Sequence, residues 1–211
     1  MKIIFDLDGT LVNSQRRLYN LFTELTETNE FSYERYWSIK RERITQRDFL
    51  IKYFDYSEDQ LAAFRGRWRQ TVEEEERVLS EDFPVEGIQS VIASLSKNNE
   101  LYIVTNRQKT DLAAKEVDFL FGKCYFEKVL ATEQKVSKID LIRRNISFGK
   151  GDCLVGDTGE DVKTAQKLGI HSVAVSWGVL SEKILSGYKP DFLVGDIAEL
   201  LESLSKLEVR L

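Results

Sequence analysis

Residues Lys2–Thr10, with the sequence KIIFDLDGT, are the stretch from which the fold of this chain can first be predicted. Lys2–Phe5 is a short apolar run of the kind that forms a buried strand. Because side chains alternate along a strand, Asp6 and Asp8 can point the same way at its carboxyl end, and Gly9 allows a tight turn after them. In open α/β sheets, ligands bind at that end of the strands. The stretch therefore indicates a carboxylate site, although a polar strand end that caps the next helix accounts for such a pair equally well.

Five further runs resemble the first one in length and composition. They are short, rich in β-branched or aromatic residues, and flanked by polar or glycine turns. Helical patterns separate them, which favours βαβ units and a mostly parallel sheet covered on both faces. The runs are Leu101–Val104, Phe126–Ala131, Cys153–Val155, Ser172–Val175 and Phe192–Val194, of which Phe126–Ala131 is the weakest. We therefore predict an α/β fold.

The interval between residues 15 and 82 differs from the rest of the chain. It is rich in aromatic and charged residues and contains no strand-like run. Ser57 and Gln60 fit a capping box at the start of a helix, and the acidic run Glu73–Glu76 is typical of a solvated helix face. We predict an all-helical subdomain at residues 15–82, inserted into a core of residues 1–14 and 83–211, with Pro84 where the chain returns to the core.

Charge and composition exclude several classes of protein. Lys and Arg number 30 against 35 Asp and Glu, so the net charge is −5 and no basic excess is present to bind nucleic acid. No apolar run approaches the ~20 residues of a membrane span, and Asp6 comes too early for a signal peptide. Two distant cysteines and one histidine exclude a disulfide scaffold, a Cys/His zinc site and a His-based triad. We expect a cytoplasmic protein that is a monomer or a homodimer.

A second acidic cluster follows the run Cys153–Val155. Asp157 comes directly after that predicted strand, and Asp161 falls near the first turn of the next helix, where a carboxylate also favours the helix dipole. Carboxylates brought together with Asp6 and Asp8 repel one another unless a cation lies between them, and a hard divalent ion prefers oxygen ligands. The two clusters together predict a magnesium site.

Groups that suit a phosphate occur between the two acidic clusters. Thr105 and Asn106 end another predicted strand, where a hydroxyl and free amides can hold phosphate oxygens, although such a pair is often only a turn. Lys135 and Lys138 flank a helix start at which Ser137 is a plausible N-cap. Either lysine can offset the charge of a phosphate, and either can equally be an ordinary surface lysine.

The order of these motifs carries more information than any one of them. A strand with DxDGT, a strand with Thr-Asn, a lysine before a helix and a strand with GDxxxD together resemble the haloacid dehalogenase superfamily over essentially the whole chain. The tail, with Val175–Gly178 and Lys189–Phe192, is similar to the closing segment of phosphoglycolate phosphatase-like members. Many relatives have Asp at the position of Asn13, which lies outside the catalytic set. The resemblance implies a Rossmann-like parallel core with an inserted helical cap.

The resemblance also implies roles for the four carboxylates. Asp6 would be the nucleophile that forms an aspartyl-phosphate, and Asp8 would be the general acid–base. Asp6, Asp157 and the main-chain carbonyl of Asp8 would bind Mg²⁺. Asp161 would support that site, directly or through water.

Further residues would bind the substrate. The Thr105 side chain and the Asn106 amide would hold the phosphoryl oxygens. One lysine would neutralise the phosphate and the nucleophile, with Lys138 favoured because it begins the helix and Lys135 as the alternative. Three arginines are candidates to pair with a second anionic group, or else belong to solvated turns: Arg41, Arg43 and Arg107.

The function that the resemblance implies is a Mg²⁺-dependent phosphatase acting on a small phosphorylated metabolite of the phosphoglycolate type. An acid at Asp8 favours phosphate-ester hydrolysis over dehalogenation. A phosphomutase usually has a histidine where this chain has Leu18, and the single histidine, His171, lies on the core side. A phosphonatase needs a cap lysine such as Lys40 or Lys52. These two alternatives, and a non-catalytic phosphate-binding regulatory protein, stay open.

Overall fold

A computed structural model describes residues 1–208 of the chain and contains a six-stranded parallel sheet. In chain order the strands are β1 (Lys2–Phe5), β2 (Val12–Asn13), β3 (Phe83–Pro84), β4 (Glu100–Thr105), β5 (Phe126–Ala131), β6 (Cys153–Gly156), β7 (His171–Val175) and β8 (Phe192–Val194). The order of the strands in the sheet is β5-β4-β1-β6-β7-β8, and a separate antiparallel pair joins β2 to β3. All six predicted runs are strands of the sheet, so the predicted α/β fold is confirmed.

Eleven helices occur among the described residues, and six of them cover the sheet. These are α6 (Ile88–Leu95), α7 (Thr110–Phe121), α8 (Lys138–Asn145), α9 (Gly159–Leu168), α10 (Glu182–Ser186) and α11 (Ile197–Glu208). Along β1, Ile3 and Phe5 pack into a core with α6, α7 and α11, whereas Ile4 packs on the other face with α8 and α9. Burial on both faces explains why the strands are continuous apolar runs in the sequence.

Residues 15–82, which we call the cap segment, contain the other five helices. These are α1 (Gln15–Thr26), α2 (Tyr33–Lys40), α3 (Gln46–Phe54), α4 (Glu58–Thr71) and α5 (Glu75–Glu81). They enclose an aromatic core of their own, in which the Phe22 and Phe49 rings meet edge to face at 5.4 Å. The predicted capping box between Ser57 and Gln60 opens α4. The predicted all-helical insert is confirmed, and the domain boundaries at 14/15 and 82/83 stay a prediction.

The chain enters the cap segment just after β2 and returns to the core at β3. Val12 pairs with Pro84 and Asn13 with Phe83, which ties the two crossing points together. Strands of two residues are too short to leave an apolar pattern, so the sequence did not reveal them. No helix among residues 1–208 has the length and apolar character needed to cross a membrane.

Glu73 corrects one expectation about the acidic run Glu73–Glu76. Its side chain is buried, and its carboxylate accepts hydrogen bonds from the backbone amides of Gln108 (2.7 Å) and Lys109 (3.1 Å), just before α7. A carboxylate at this end of a helix is stabilised by the helix dipole. The solvated helix face predicted here is therefore wrong for Glu73, which fastens the cap segment to the core.

Candidate active site

Three neighbouring strands of the sheet end at one cavity of about 300 Å³. Asp6 follows β1, Thr105 ends β4 and Asp157 follows β6, and β1 lies between the other two strands. Because the strands are parallel, their carboxyl ends share one edge of the sheet. The cap segment adds Trp68 and Arg69 to the lining of the same cavity. The sheet topology thus brings together side chains that lie up to 151 positions apart in sequence.

Three of the four predicted carboxylates form a compact cluster. One oxygen from each of Asp6, Asp157 and Asp161 lies within 4.8 Å of the other two, and all three residues are buried. The Val179 amide donates to Asp157 Oδ2 at 2.6 Å, and the Thr158 amide and hydroxyl donate to Asp161 Oδ2 at 3.1 and 2.5 Å. These bonds hold the carboxylates in place.

Two glycines allow the backbone to approach Asp157 closely. A Cβ atom at Gly9 would lie 2.2 Å from Asp157 Oδ2, and one at Gly178 would lie 2.3 Å from the same oxygen. Gly9 also has a φ of +78°, which favours glycine. Any larger residue at either position would collide with the carboxylate, so the sequence DxDGT needs its glycine here.

Lys138 joins the acidic cluster, whereas Lys135 does not. The Lys138 ammonium lies 2.9 Å from Asp6 Oδ1 and 2.7 Å from Asp161 Oδ1 in a fully buried site. Ser137 caps α8 as predicted, because its hydroxyl accepts from the Asp140 amide. Lys135 is 75% exposed and pairs with Glu133 at 2.7 Å. The geometry thus supports Lys138 over Lys135 as the lysine of the site.

The electrostatics of this cluster suit a divalent cation. Burial raises the pKa of Asp6 to about 7 even though Lys138 opposes the shift, and burial together with Asp6 and Asp161 raises the pKa of Asp157 well above its usual range. The cluster thus contains three buried carboxyl groups, and the ammonium of Lys138 is the one cation in contact with them among the described residues. Carboxylate oxygens are the ligands that Mg²⁺ prefers, and a charge of +2 would relieve the repulsion between them. The residues present fit a magnesium ion.

Asp8 lies outside the carboxylate cluster and is held by two arginines. Arg107 donates from Nε to Oδ2 and from Nη2 to Oδ1, both at 2.8 Å, and Arg17 donates from Nη2 to Oδ1 at 3.1 Å. Burial by itself raises the pKa of Asp8, but the two guanidinium groups outweigh burial and hold that pKa well below its usual range. In this geometry Asp8 is ionised.

The arginines are themselves fixed by further buried acids. Arg17 Nε donates to Asp82 Oδ1 at 2.8 Å, and Arg107 Nη2 donates to Asp82 Oδ2 at 3.1 Å. Arg107 Nη1 also lies 2.6 Å from Glu116 Oε2, close in distance but not aligned as a hydrogen bond. Burial, opposed by Arg107, raises the pKa of Glu116 to about 9, so this side chain is neutral at pH 7. Burial also raises the pKa of Asp82, and the guanidinium groups of Arg17 and Arg107 oppose that shift.

The sequence analysis missed three members of this network: Arg17, Asp82 and Glu116. Two of them left a signal. Arg17 precedes Leu21 by four residues, and Glu116 follows Leu112 by four, so each charged side chain falls on the buried face of its helix. A charge on an apolar stripe indicates a buried partner, although it does not identify that partner.

Thr105 and Asn106, for which a role in phosphate binding stays a prediction, both line the cavity. Thr105 is buried at the end of β4, whereas Asn106 is exposed and donates from Nδ2 to Glu160 Oε2 at 2.9 Å. Both residues therefore lie in the same cavity as Asp6, from which a phosphoryl group would reach the Asp6 carboxylate.

The predicted substrate arginines are placed differently from what we expected. Arg41 donates to the carbonyls of Gly178 (3.2 Å) and Ser176 (2.5 Å), so it fastens the cap segment to the core and does not line the cavity. Arg43 lines a neighbouring cleft. Arg107 does line the cavity, but its guanidinium is engaged by Asp8. The geometry gives no support to substrate contact by Arg41.

Arg69 is a further arginine that the sequence analysis did not identify. It lines the cavity from α4 and is exposed. Within residues 1–208 no carboxylate pairs with it, in contrast to the guanidiniums of Arg17 and Arg107 in the same cavity. It is therefore available to a ligand.

A parallel sheet with buried carboxylates and a lysine at its carboxyl edge, under a helical insert, defines a class of α/β enzymes with a Rossmann-like core. Residues 3–175 match the haloacid dehalogenase-like hydrolases. The chain belongs to this family, and its assignment as a hydrolase is confirmed.

Similar proteins extend over nearly the whole chain. Pyrophosphatase PpaX from Bacillus mycoides is 26% identical and is matched over 97% of each chain. A haloacid dehalogenase-like hydrolase from Streptococcus pneumoniae has a solved structure with a TM-score of 0.77 and 22% identity, covering 96% of this chain and 97% of that one. A protein described as a predicted phosphoglycolate phosphatase from Haemophilus somnus superimposes with a TM-score of 0.74 at 21% identity, covering 95% of this chain and 96% of the other. The two structures support the fold.

Proposed function

We propose that this protein is a Mg²⁺-dependent phosphatase that hydrolyses a small phosphorylated metabolite through an aspartyl-phosphate at Asp6. The observation that carries the proposal is the contact of Lys138 with Asp6 inside the buried cluster that includes Asp157 and Asp161. Membership of the hydrolase family supports it, as do relatives named as phosphatases. A cytoplasmic location and a monomeric or homodimeric state stay predictions from the sequence.

Asp6 acts as the nucleophile. Its carboxylate oxygen attacks phosphorus while the bond to the leaving oxygen breaks, and Lys138 stabilises the charge on the nucleophile and the phosphoryl group. Asp6, Asp157 and the main-chain carbonyl of Asp8 would hold Mg²⁺, with Asp161 in support, and the ion would supply charge stabilisation at the phosphoryl oxygens. The Thr105 hydroxyl and the Asn106 amide orient those oxygens.

Asp8 moves the protons. In the first step it gives a proton to the leaving oxygen, and in the second it accepts one from the water that hydrolyses the aspartyl-phosphate. The ionised form seen beside Arg107 and Arg17 suits the second step. An incoming phosphoryl group carries negative charge and competes with Asp8 for Arg107, which favours uptake of the proton needed in the first step.

The cavity favours a small substrate. Its volume of about 300 Å³ is at the lower end of the ~300–1,000 Å³ usual for ligand pockets. Arg69 offers a free guanidinium to a second anionic group, as in a phosphoglycolate-like ester. Pyrophosphate is a second candidate, because it also carries a second anionic group and because several relatives are named pyrophosphatases.

The alternatives left open by the sequence find less support. Leu18 lines the cavity where a mutase has histidine, and His171 lies at the amino end of β7, at the opposite edge of the sheet. Lys40 contacts Gln46 within the cap segment and does not line the cavity, so it is badly placed for a phosphonatase Schiff base. A purely phosphate-binding protein has no need of a nucleophile, an acid–base and a buried lysine together.

The test is turnover of an aryl phosphate by the purified protein with Mg²⁺ and with EDTA, followed by a panel of phosphorylated metabolites that includes pyrophosphate. We expect hydrolysis that depends on Mg²⁺ and a preference for a small substrate with two anionic groups. Equal rates with EDTA, or no turnover of any phosphate compound, would contradict the proposal.

A further inference from the structure

A second cleft, of about 410 Å³, lies beside the catalytic cavity and between the cap segment and the core. The two are neighbours, because Thr158 lines the cavity and the next residue, Gly159, lines the cleft. The side chains that matter below are Arg43 from the turn after α2, Lys163 and Lys167 from α9, and Tyr188 from the segment after α10.

Three of the four cations that line this cleft have no carboxylate partner among the described residues, and the fourth, Lys138, pairs with Asp6 and Asp161. Within residues 1–208, no acidic side chain forms an ion pair with Arg43, Lys163 or Lys167, although other exposed cations such as Lys115 and Lys206 do find one. The chain as a whole carries a net charge of −5, whereas the lining of this cleft contains four cations and a single acid, Glu160. The cleft is therefore a local positive site on an acidic protein.

The lining contains one acidic residue, Glu160, whose single negative charge is smaller than the combined charge of the three cations. Glu160 accepts a hydrogen bond from Asn106 Nδ2 at 2.9 Å, and Asn106 lines the catalytic cavity and not the cleft. Its carboxylate is thus engaged at the boundary between the two cavities.

Tyr188 holds two of the cations close together. The guanidinium carbon of Arg43 lies 5.6 Å from the centre of its ring, and Lys163 Nζ lies 5.2 Å from the same point. The ring is fixed against Gly159, where a Cβ atom would come within 2.1 Å of it. Arg43 reaches this position with a φ of +67°, a left-handed conformation that is uncommon for a residue with a side chain. Like charges held together in this way are stabilised when an anion joins them.

We propose that the cleft is a second anion site, which binds a phosphate-class group carrying two or more negative charges. Several acceptor oxygens on one compact group match three cations better than a single carboxylate does. The group has two possible sources, namely the distal anionic end of the substrate itself or a separate anion such as inorganic phosphate or pyrophosphate. The transferred phosphoryl group at Asp6 occupies the other cavity.

Binding of pyrophosphate in EDTA tests the site. In EDTA no divalent cation is present to join a phosphoryl group to Asp6, Asp157 and Asp161, so calorimetric titration then favours the cleft over the catalytic cavity. The wild type should bind pyrophosphate, and the double variant Lys163→Ala/Lys167→Ala should bind it at least tenfold more weakly. This measurement does not depend on whether the protein is a phosphatase.

Two controls separate the cleft from general charge effects. Lys97→Ala/Lys206→Ala removes the same charge from elsewhere on the surface and should bind like the wild type. Arg69→Ala removes the free guanidinium of the catalytic cavity, and a loss of binding as large as that of Lys163→Ala/Lys167→Ala would place the anion in that cavity and overturn the proposal. No binding by the wild type, or equal binding by the Lys163→Ala/Lys167→Ala variant and the wild type, would overturn the proposal.

Kinetics with Mg²⁺ then identify the source of the anion, and this step alone rests on the proposed function. If the distal end of the substrate occupies the cleft, Lys163→Ala/Lys167→Ala should raise KM for pyrophosphate at least tenfold and leave KM for an aryl phosphate unchanged. If a separate anion binds, a non-hydrolysable bisphosphonate should alter aryl phosphate turnover in the wild type and not in that variant. Each result supports the site and assigns its ligand.

Discussion

The ammonium of Lys138 lies 2.9 Å from Oδ1 of Asp6, although 131 residues separate the two in sequence. The same ammonium contacts Asp161 at 2.7 Å, and the two carboxylates outweigh burial and raise the pKa of Lys138 above its usual value. Lys138 therefore stays charged and is the sole cation in contact with the cluster among the described residues. Two of the predictions below depend on this balance of charge.

Replacing Lys138 by Met should be far more damaging than replacing Lys135 by Met. Lys138→Met leaves buried carboxylates without their cation, which should cost about 3 kcal/mol in the free energy of unfolding and at least ~100-fold in kcat. Lys135→Met removes an exposed pair with Glu133 and should change stability by less than about 0.5 kcal/mol. Urea unfolding and aryl phosphate turnover measure both effects. Similar losses in the two variants would contradict the assignment of Lys138.

Asp157→Asn should raise the Mg²⁺ concentration needed for activity by about tenfold or more, because an amide is a weaker ligand than a carboxylate. The same change should stabilise the protein in EDTA, since burial together with Asp6 and Asp161 raises the pKa of Asp157 well above its usual range, and a neutral amide at this position carries no charge to bury. A Mg²⁺ titration of turnover tests the first effect, and urea unfolding in EDTA tests the second. Superimposable Mg²⁺ titrations of variant and wild type would count against a metal ligand at this position.

Glu116→Gln should make the protein more stable, increasingly so as the pH rises. Burial raises the pKa of Glu116 to about 9, so the folded wild type retains a proton that the unfolded chain loses above its ordinary value of 4.5. Stability is therefore lost between about pH 4.5 and pH 9 in the wild type, and the neutral Gln side chain avoids that loss. We expect an advantage of about 1–3 kcal/mol near pH 8 and little at pH 5. Urea unfolding at both values tests this, and a constant difference would refute the neutral Glu116.

Arg69→Ala should affect substrate choice, whereas Arg41→Ala should not. Loss of a charge-assisted contact from Arg69 should cost ~1.5–3 kcal/mol, or at least about tenfold in KM, for a substrate with a second anionic group. An aryl phosphate, which lacks that group, should keep its KM. Arg41 bonds to the carbonyls of Ser176 and Gly178, so its loss should act on both substrates alike. A selective effect of Arg41→Ala would restore it as a substrate contact.

Much of the fold could be predicted from the sequence, because buried parallel strands leave apolar runs and a helical insert lacks them. The same logic placed Asp6, Thr105 and Asp157 at one edge, since parallel strands share the direction of their carboxyl ends. It also favoured Lys138 over Lys135 from the position of Ser137 as an N-cap, and the structure puts that lysine in the cluster.

The contacts between the cap segment and the core could not be predicted in the same way. Arg17, Asp82 and Arg107 meet through pairings 25 to 65 residues apart in sequence, and no local pattern specifies such partners. Arg41 looked like a substrate ligand because it belongs to a basic cluster, yet its bonds are to main-chain carbonyls that have no sequence signature. Arg69 lies within the helical pattern of α4, where the sequence alone does not distinguish an arginine that binds a ligand from a solvated one.

Chemical trapping at residue 6 tests the central claim most directly. The wild type, quenched with borohydride during turnover of an aryl phosphate with Mg²⁺, should yield a peptide in which Asp6 has been reduced to homoserine, because borohydride reduces an acyl phosphate to the alcohol. Asp6→Asn should yield no such peptide and should lack turnover, since an amide is no nucleophile at neutral pH. Turnover by Asp6→Asn at half the wild-type rate, or active wild-type protein with no reduced residue at position 6, would contradict the account.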